Sequence, residues 1–228
     1  MKDTVINTTK ANQRHIRALV YGAICLAMSV VLGRVMPVFR MPNGGSITIA
    51  ALAPLFLYVY LFGIKYGLLV TIAYTLIMTV TGSTLIHPWQ VVFDYVIPYM
   101  ALAVITLVPK VFNRIFGSER SIEAGVYIGV GLFALIRWAS QTFVGMFFFL
   151  TGMQWRFSYE VSVTARFWGS LLYNSFGIID AAIAAIVLVA LFRSKAFCKE
   201  LGKIQDMMIK TKSKNLKMKN ESQGIVAG

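Results

Sequence analysis

The stretch HPWQVVFDY, residues 87–95, leads into an apolar run that extends from Val91 to Val108. Its carboxylate, Asp94, lies just inside that run, where an acid costs roughly 2.5–3.5 kcal/mol on membrane-insertion scales. We therefore expect Asp94 to face the protein interior or a water-filled cavity. Trp89, Tyr95 and Tyr99 flank it in the sequence. Because such rings stack on flat cations, the stretch predicts the charged floor of a binding pocket.

The composition of the chain is typical of a membrane protein. Of its 228 residues, 57% are hydrophobic and only 14% are charged, whereas soluble domains are about 45–50% apolar. Because about 20 apolar residues are needed to cross a bilayer as a helix, this length allows one domain of six spans with short loops. We therefore predict an all-α, multi-pass membrane protein with six transmembrane helices.

Six apolar runs set the boundaries of the predicted domains. The predicted spans are 18–36, 47–62, 68–81, 91–108, 124–150 and 167–192. The membrane domain is therefore 18–192, preceded by a polar lead-in at 1–17 and followed by a basic tail at 193–228 that we expect to be disordered. The loop Arg34–Ser46 is rich in Pro and Gly, and its length suits either a lid over a site or a plain connector.

The net charge of +13 comes from 22 Lys and Arg residues against 9 Asp and Glu residues. Most basic residues lie on the side that holds the two termini, so the positive-inside rule places both termini in the cytoplasm. Asp94 and Asn174 then begin their spans near the outer face, and the candidate pocket opens to the outside. The charge is interpreted as a topology signal and as contact with anionic lipid, because no basic-aromatic module for a nucleic acid is present.

The sequence contains no catalytic or nucleotide-binding motif: no Gly-rich phosphate loop, no metal-ligand spacing of Cys or His, and no Gly-x-Ser-x-Gly turn. We therefore predict that the protein is not an enzyme and holds no metal or cofactor. The alternative is a membrane-embedded enzyme that uses His87, Asp94 and Asp180. Such an enzyme needs an acid and a base within reach of each other, whereas His87 is expected at the outer rim and Asp180 deeper in its span.

Polar residues inside the spans outline the pocket and its supports. Arg137 and Gln141 lie one helical turn apart, and Gly145 follows one turn later. A lone guanidinium in lipid is costly, so Arg137 needs a partner. Asp94 is therefore either a ligand-binding carboxylate or the structural partner of Arg137, and Asp180 is interpreted as a structural partner, with Arg137 as one candidate.

Neutral hydrogen-bonding groups lie at the same predicted level as Asp94. The amide of Gln141 both donates and accepts, and Gly145 has no side chain to block a planar ring. Tyr173 and Asn174 add further polar groups near the outer mouth. One carboxylate, neutral amides and several aromatic rings suit a small, flat, cationic or amide-bearing molecule.

From Ala18 to Phe192 the chain resembles the thiamine-binding S components of energy-coupling factor (ECF) transporters. The matching pieces, in chain order, are GGSITI (44–49), Pro54, Gly63, Gly67, HPWQVVFDY (87–95), RWASQTFVG (137–145) and Tyr173-Asn174. The resemblance implies a prokaryotic, six-helix protein of the cell (plasma) membrane that captures a vitamin from outside. It also implies a transmembrane T component and two cytoplasmic ATPases as partners, so that ATP is used only by the partner subunits.

The same resemblance implies roles for individual residues. The acid beside a tyrosine falls on Asp94 and Tyr95, which implies a counter-charge for the thiazolium ring of thiamine. Asn174 is implied to bond the pyrimidine, and Gly145 to lie beside the ligand. The small-x-x-x-small motif of the first helix falls on the two partner-docking candidates, Ala23 and Ala27. The predicted substrate-binding set is Asp94, Tyr95, Gln141, Gly145, Asn174, Tyr74, Phe149, His87, Trp89 and Phe39.

Three positions depart from the pattern of the family. Gln141 stands where the family often has a histidine, and Phe149 stands where it has a stacking tryptophan. The first outer loop lacks a tryptophan and offers Phe39 instead. A thiamine precursor or another vitamin-like heterocycle therefore stays open as the ligand, and so does a stand-alone secondary transporter, for which broken helices or repeated halves are typical.

Overall fold

The computed structural model describes residues 2–40, 46–82, 88–103, 105, 107–108, 111, 114–115, 119–149 and 162–204. The α-helices are α1 (Lys2–Arg34), α2 (Ala53–Gly82), α3 (Pro88–Val91), α4 (Ile97–Met100), α5 (Glu119–Val144), α6 (Val163–Asn174) and α7 (Phe176–Arg193). Two π-turns, Val92–Val96 and Gly145–Phe149, and a short 3-10 segment, Ala101–Ala103, lie between them. The strands are β1 (Pro37–Arg40) and β2 (Ser46–Thr48).

Four described helical segments are long and apolar enough to cross a membrane. These segments are His15–Arg34, Ala53–Thr81, Ala124–Phe147 and Val163–Arg193. The protein is therefore mostly helical with several membrane-spanning helices, as the composition predicts. Six spans and cytoplasmic termini stay predictions. The third predicted span and most of the second lie within α2, and the fourth is divided into short pieces and described only in part.

The first outer loop differs from the sequence prediction. Residues Pro37–Arg40 and Ser46–Thr48 form an antiparallel pair of strands, in which Phe39 pairs with Ile47. The helix that follows begins at Ala53 instead of residue 47. Pro54 thereby occupies the first turn of α2, where a missing N–H costs no hydrogen bond. The chain is thus mostly helical, as predicted, and the all-α prediction is wrong for this small hairpin.

The chain forms two compact units. One is Gly22–Leu188, and the other combines the chain ends, Met1–Tyr21 and Val189–Gly228. In the unit formed by the ends, residues 195–204 are helical, and the rest of the predicted tail lies outside the described residues. Within this helix Lys203 and Glu200 form an exposed ion pair. At the other end of the chain, α1 already begins at Lys2. All candidate site residues lie in the unit Gly22–Leu188.

Aromatic and aliphatic side chains form the interior of the larger unit. Phe56 of α2 packs edge-to-face on Phe133 of α5, with ring centroids 5.1 Å apart. Gly129 brings α5 close to the segment after α4, because a Cβ at this position would lie 3.1 Å from the Cα of Ile105. These contacts hold α5 against α2 and against the segment that carries Asp94.

Gly63 interrupts α2 with a backbone conformation of φ 77° and ψ −176°. The sequence predicts a turn at Gly63–Gly67, whereas the structure has a break at Gly63 alone and is helical again from residue 64. An L-residue with a side chain rarely adopts these angles, and such strain costs about 1–3 kcal/mol. The break therefore divides the apolar run into two helical parts.

We expect Gly63→Ala to lower the free energy of unfolding by about 2 kcal/mol. A Cβ at this position would meet no atom within 4 Å, so the loss would come from backbone strain and not from a clash. Unfolding in mixed micelles by increasing SDS, followed by tryptophan fluorescence, measures it. Gly131→Ala is the control, because that site is equally open and its φ is ordinary; equal stabilities of the two variants would contradict the prediction.

Candidate functional site

Asp94 lies on the first π-turn, partly buried. The side chain of Gln90, itself buried, hydrogen-bonds to its carboxylate from the preceding turn. Within the described ranges Asp94 forms no salt bridge, although Arg137 is close enough to interact with it through space. A partly buried carboxylate that is held by an amide and not neutralised by a cation is available to a positively charged ligand.

Three tyrosines form a continuous aromatic group, the tyrosine group, which begins at the residue after Asp94. Tyr95 follows it in the chain, and the ring centroids of Tyr95 and Tyr99 are 6.5 Å apart. Tyr99 meets Tyr74 of α2 edge-to-face at 4.9 Å. Tyr74 and Tyr99 are buried, whereas Tyr95 is only partly so. The structure therefore links the predicted residues Tyr74 and Tyr95 through Tyr99, and Tyr95 directly follows Asp94 in the chain.

The partner of Arg137 is Asp180, as one interpretation of the sequence has it. Arg137 Nη1 donates to Asp180 Oδ2 at 3.3 Å, and both side chains are buried. Asp180 Oδ1 accepts from the backbone N of Thr48 at 3.1 Å and from its Oγ1 at 2.5 Å. Thr48 ends β2, so one carboxylate joins α5, α7 and the base of the hairpin. The alternative in which Asp94 forms the salt bridge with Arg137 is therefore wrong.

Asn174, Gln141 and Gly145 meet where α5 and α6 cross. Asn174 Nδ2 lies 3.1 Å from the backbone O of Gln141, and 2.8 Å and 3.2 Å from the backbone O and Oγ of Ser170. A Cβ on Gly145 would lie 2.1 Å from Ser170 Oγ. The amide nitrogen of Asn174 thus donates to groups of the protein itself. Gly145 lacks a side chain because Ser170 packs too close to leave room for one.

Gln141 supplies an unsatisfied acceptor at this crossing. Its side-chain oxygen Oε1 is buried and has no hydrogen-bond partner among the residues that the structure describes. A buried acceptor without a partner costs free energy, so a donor from a ligand or from water would stabilise it. Of the predicted amides, Gln141 is the one with an open acceptor.

Several predicted residues lie apart from this group or outside the description. Phe39 lies on β1 and its side chain is 56% exposed. Trp89 lies in α3, shortly before Asp94, and is 57% exposed. His87 lies outside the described residues, and of Phe149 only the backbone, in the second π-turn, is described. Ala23 and Ala27, the predicted docking residues, are both exposed on α1.

Sequence reasoning missed Thr48, Ser140 and Ser170 as supports of the site. Each bonds a residue far away in the chain, such as Thr48 with Asp180, and a single sequence gives no signal for such pairs. The signal that was available is a hydroxyl within an apolar run, as at Ser140 and Ser170.

Known proteins resemble this chain both in sequence and in fold. A curated relative, the thiamine transporter ThiT of Bacillus subtilis, is 29% identical over 179 residues, which cover 75% of this chain and 87% of the relative. The solved structure of ThiT from Listeria monocytogenes superposes with a TM-score of 0.61 at 15% identity, covering 80% of this chain and 96% of that one. This likeness shows a shared fold. The family model described as thiamine transporter protein (Thia_YuaJ) matches residues 19–199, and the chain belongs to that family.

Proposed function

We propose that the protein is the substrate-binding S component of an ECF-type importer and captures thiamine from outside the cell. Membership of a thiamine transporter family supports thiamine as the substrate. The observation that carries the binding site is Asp94, a carboxylate with no salt bridge among the described residues, which directly precedes Tyr95 of the tyrosine group. Thiamine offers a cationic thiazolium for that carboxylate and an aminopyrimidine whose amine can donate to an acceptor such as Gln141 Oε1.

Transport energy, in this proposal, comes from partners. The sequence has no nucleotide-binding motif, so ATP hydrolysis is assigned to two cytoplasmic ATPases joined through a T component. Ala23 and Ala27 are proposed as the docking face, because exposed small residues one turn apart let another helix approach closely. The proposal includes six spans, cytoplasmic termini and the plasma membrane of a prokaryote, and no catalysis by this chain.

Titration of the purified full-length protein with thiamine tests the ligand. We expect saturable quenching of tryptophan fluorescence, since the chain has 4 Trp residues and Trp89 precedes Asp94 by one helical turn. Saturation by the pyrimidine precursor but not by thiamine would replace thiamine with the precursor as substrate. No saturable change with thiamine, its phosphates or the precursor would reject the proposal.

Reconstitution into proteoliposomes tests the dependence on partners. The isolated protein should bind thiamine without accumulating it inside the vesicles. Accumulation driven by an ion gradient, with no ATPase present, would instead identify a stand-alone secondary transporter.

We expect Asp94→Asn to weaken thiamine binding by at least about tenfold, or about 1.4 kcal/mol, because the cation loses a desolvated counter-charge. The amide is nearly the same size as the carboxylate, so packing changes little. Glu200→Gln is the matched control, because it makes the same chemical change at an exposed position. Equal affinity of Asp94→Asn and wild type in the fluorescence titration would rule out Asp94 as the counter-charge.

A further inference from the structure

Pro98 explains why the helix is widened at Asp94. In a regular α-helix the N–H of residue 98 would bond the carbonyl of Asp94, but proline has no N–H and its ring clashes with that carbonyl. The chain avoids the clash by forming the π-turn Val92–Val96, which Ile97 N–H closes by donating to the carbonyl of Val92. Wide turns of this kind are frequent at functional sites.

This arrangement leaves the carbonyl of Phe93 without a donor from its own helix. Its α-helical donor would be Ile97 N–H, which is bonded to Val92. Its π-helical donor would be the N–H of residue 98, which proline lacks. A partly buried carbonyl without a partner costs about 1–3 kcal/mol, so a donor from elsewhere is favoured.

Ser140 supplies that donor from another helix. Its Oγ donates to the carbonyl of Phe93, and the side chain of Ser140 is buried. One turn further along α5, Phe143 packs on the ring of Phe93 with centroids 4.9 Å apart. The residue directly before Asp94 is thus held at both its carbonyl and its ring by the same face of α5.

We infer that Pro98 and Ser140 are positioning residues for Asp94. Pro98 imposes the wide turn, and Ser140 satisfies the carbonyl that this turn exposes, so that the backbone is fixed directly before Asp94 and its carboxylate stays within reach of Gln90. Neither residue is assigned a contact with the ligand. The inference rests on the proposed function, because its effect is read from the binding of a cationic ligand.

The first test compares thiamine with a neutral isostere in which thiophene replaces the thiazolium ring. Ser140→Ala should weaken binding of thiamine about tenfold and leave binding of the isostere nearly unchanged, because only the cation needs Asp94. Adding Ser140→Ala to Asp94→Asn should cause little further loss. Thr71→Val is the matched control, since it removes a buried hydroxyl that bonds a carbonyl of its own helix. Equal losses for thiamine and the isostere would overturn the inference.

A double-mutant cycle tests the link between the two residues. In Pro98→Ala the new N–H can bond the carbonyl of Phe93 or Asp94, so Ser140→Ala should have less than about a threefold effect in that background. If the affinity losses of Pro98→Ala and Ser140→Ala simply multiply in the double variant, the link is overturned. If Ser140→Ala does not fold, Ser140→Thr and the double variant Pro98→Ala/Ser140→Ala should fold; failure of that double variant would equally overturn it.

The same cycle measured on unfolding separates this inference from the proposed function. If wild-type protein does not bind thiamine, the proposed function fails. A coupling between Pro98→Ala and Ser140→Ala in the SDS unfolding titration would then still show that the hydroxyl replaces the missing N–H. Absence of coupling, with thiamine bound normally, would reject the positioning role alone.

Discussion

Replacement of Asp180 by alanine is expected to lower the free energy of unfolding by about 3–5 kcal/mol, because it leaves a buried guanidinium without its counter-charge. Asp180 is 4% exposed and accepts hydrogen bonds from Arg137 Nη1, Thr48 N and Thr48 Oγ1. Arg137 Nε lacks a hydrogen-bond partner among the described residues, so the guanidinium depends on Asp180 for its counter-charge. The SDS unfolding titration in mixed micelles measures the loss.

Two further variants separate a lost charge pair from lost packing. The double variant Arg137→Met/Asp180→Asn removes both charges while keeping similar volume and an acceptor for Thr48, and should be far closer to wild type than Asp180→Ala alone. Glu200→Ala breaks the exposed ion pair with Lys203 and should cost less than about 1 kcal/mol. If Asp180→Ala unfolds as late as Glu200→Ala, the buried network does not support the fold as described.

The polar network around Asp180 shows which contacts can be predicted from the sequence and which cannot. A guanidinium in an apolar run needs an acid, and that requirement alone predicts a pairing for Arg137 with Asp94 or Asp180. Choosing between them needs the relative rotation of helices, which a single sequence does not contain. Thr48 lies 132 positions from Asp180, and it falls in a segment that hydropathy assigns to a span.

Glycine and proline residues account for the remaining differences between the predicted and the observed helices. Gly63 predicts its own break, because its backbone is compatible with a turn. Pro54 and Pro98 carry equally strong local signals, namely a first turn of a helix and a disruption of one. Hydropathy treats both as part of an apolar run, so the late start of α2 and the π-turn at Asp94 are missed. The apolar pattern predicts the long helices, and the prolines determine where a helix begins and which backbone carbonyls lose a donor.

Gly145→Ala is expected to lower the free energy of unfolding by about 3 kcal/mol and to weaken thiamine binding as well. The added Cβ would lie 2.1 Å from Ser170 Oγ, 3.0 Å from Ser170 Cβ and 3.3 Å from Asn174 Nδ2. Ser170 Oγ is already fixed by donating to the carbonyl of Thr142 at 2.7 Å. It cannot move without losing that bond, so α5 and α6 must separate. Unfolding in SDS and the fluorescence titration measure the two effects.

A second substitution distinguishes helix packing from room for the ligand. Ser170→Gly removes both clashing atoms of Ser170, so the pair Gly145→Ala/Ser170→Gly should recover much of the stability lost by Gly145→Ala. If recovered stability restores thiamine affinity, Gly145 acts by letting α5 and α6 meet, and the amides of Gln141 and Asn174 return to place. If stability recovers while affinity stays low, the methyl group occupies space that the ligand needs. Gly131→Ala on the same helix, where a Cβ meets no atom within 4 Å, should change neither quantity; an equal loss there would show that helix backbone effects, and not this crossing, explain Gly145.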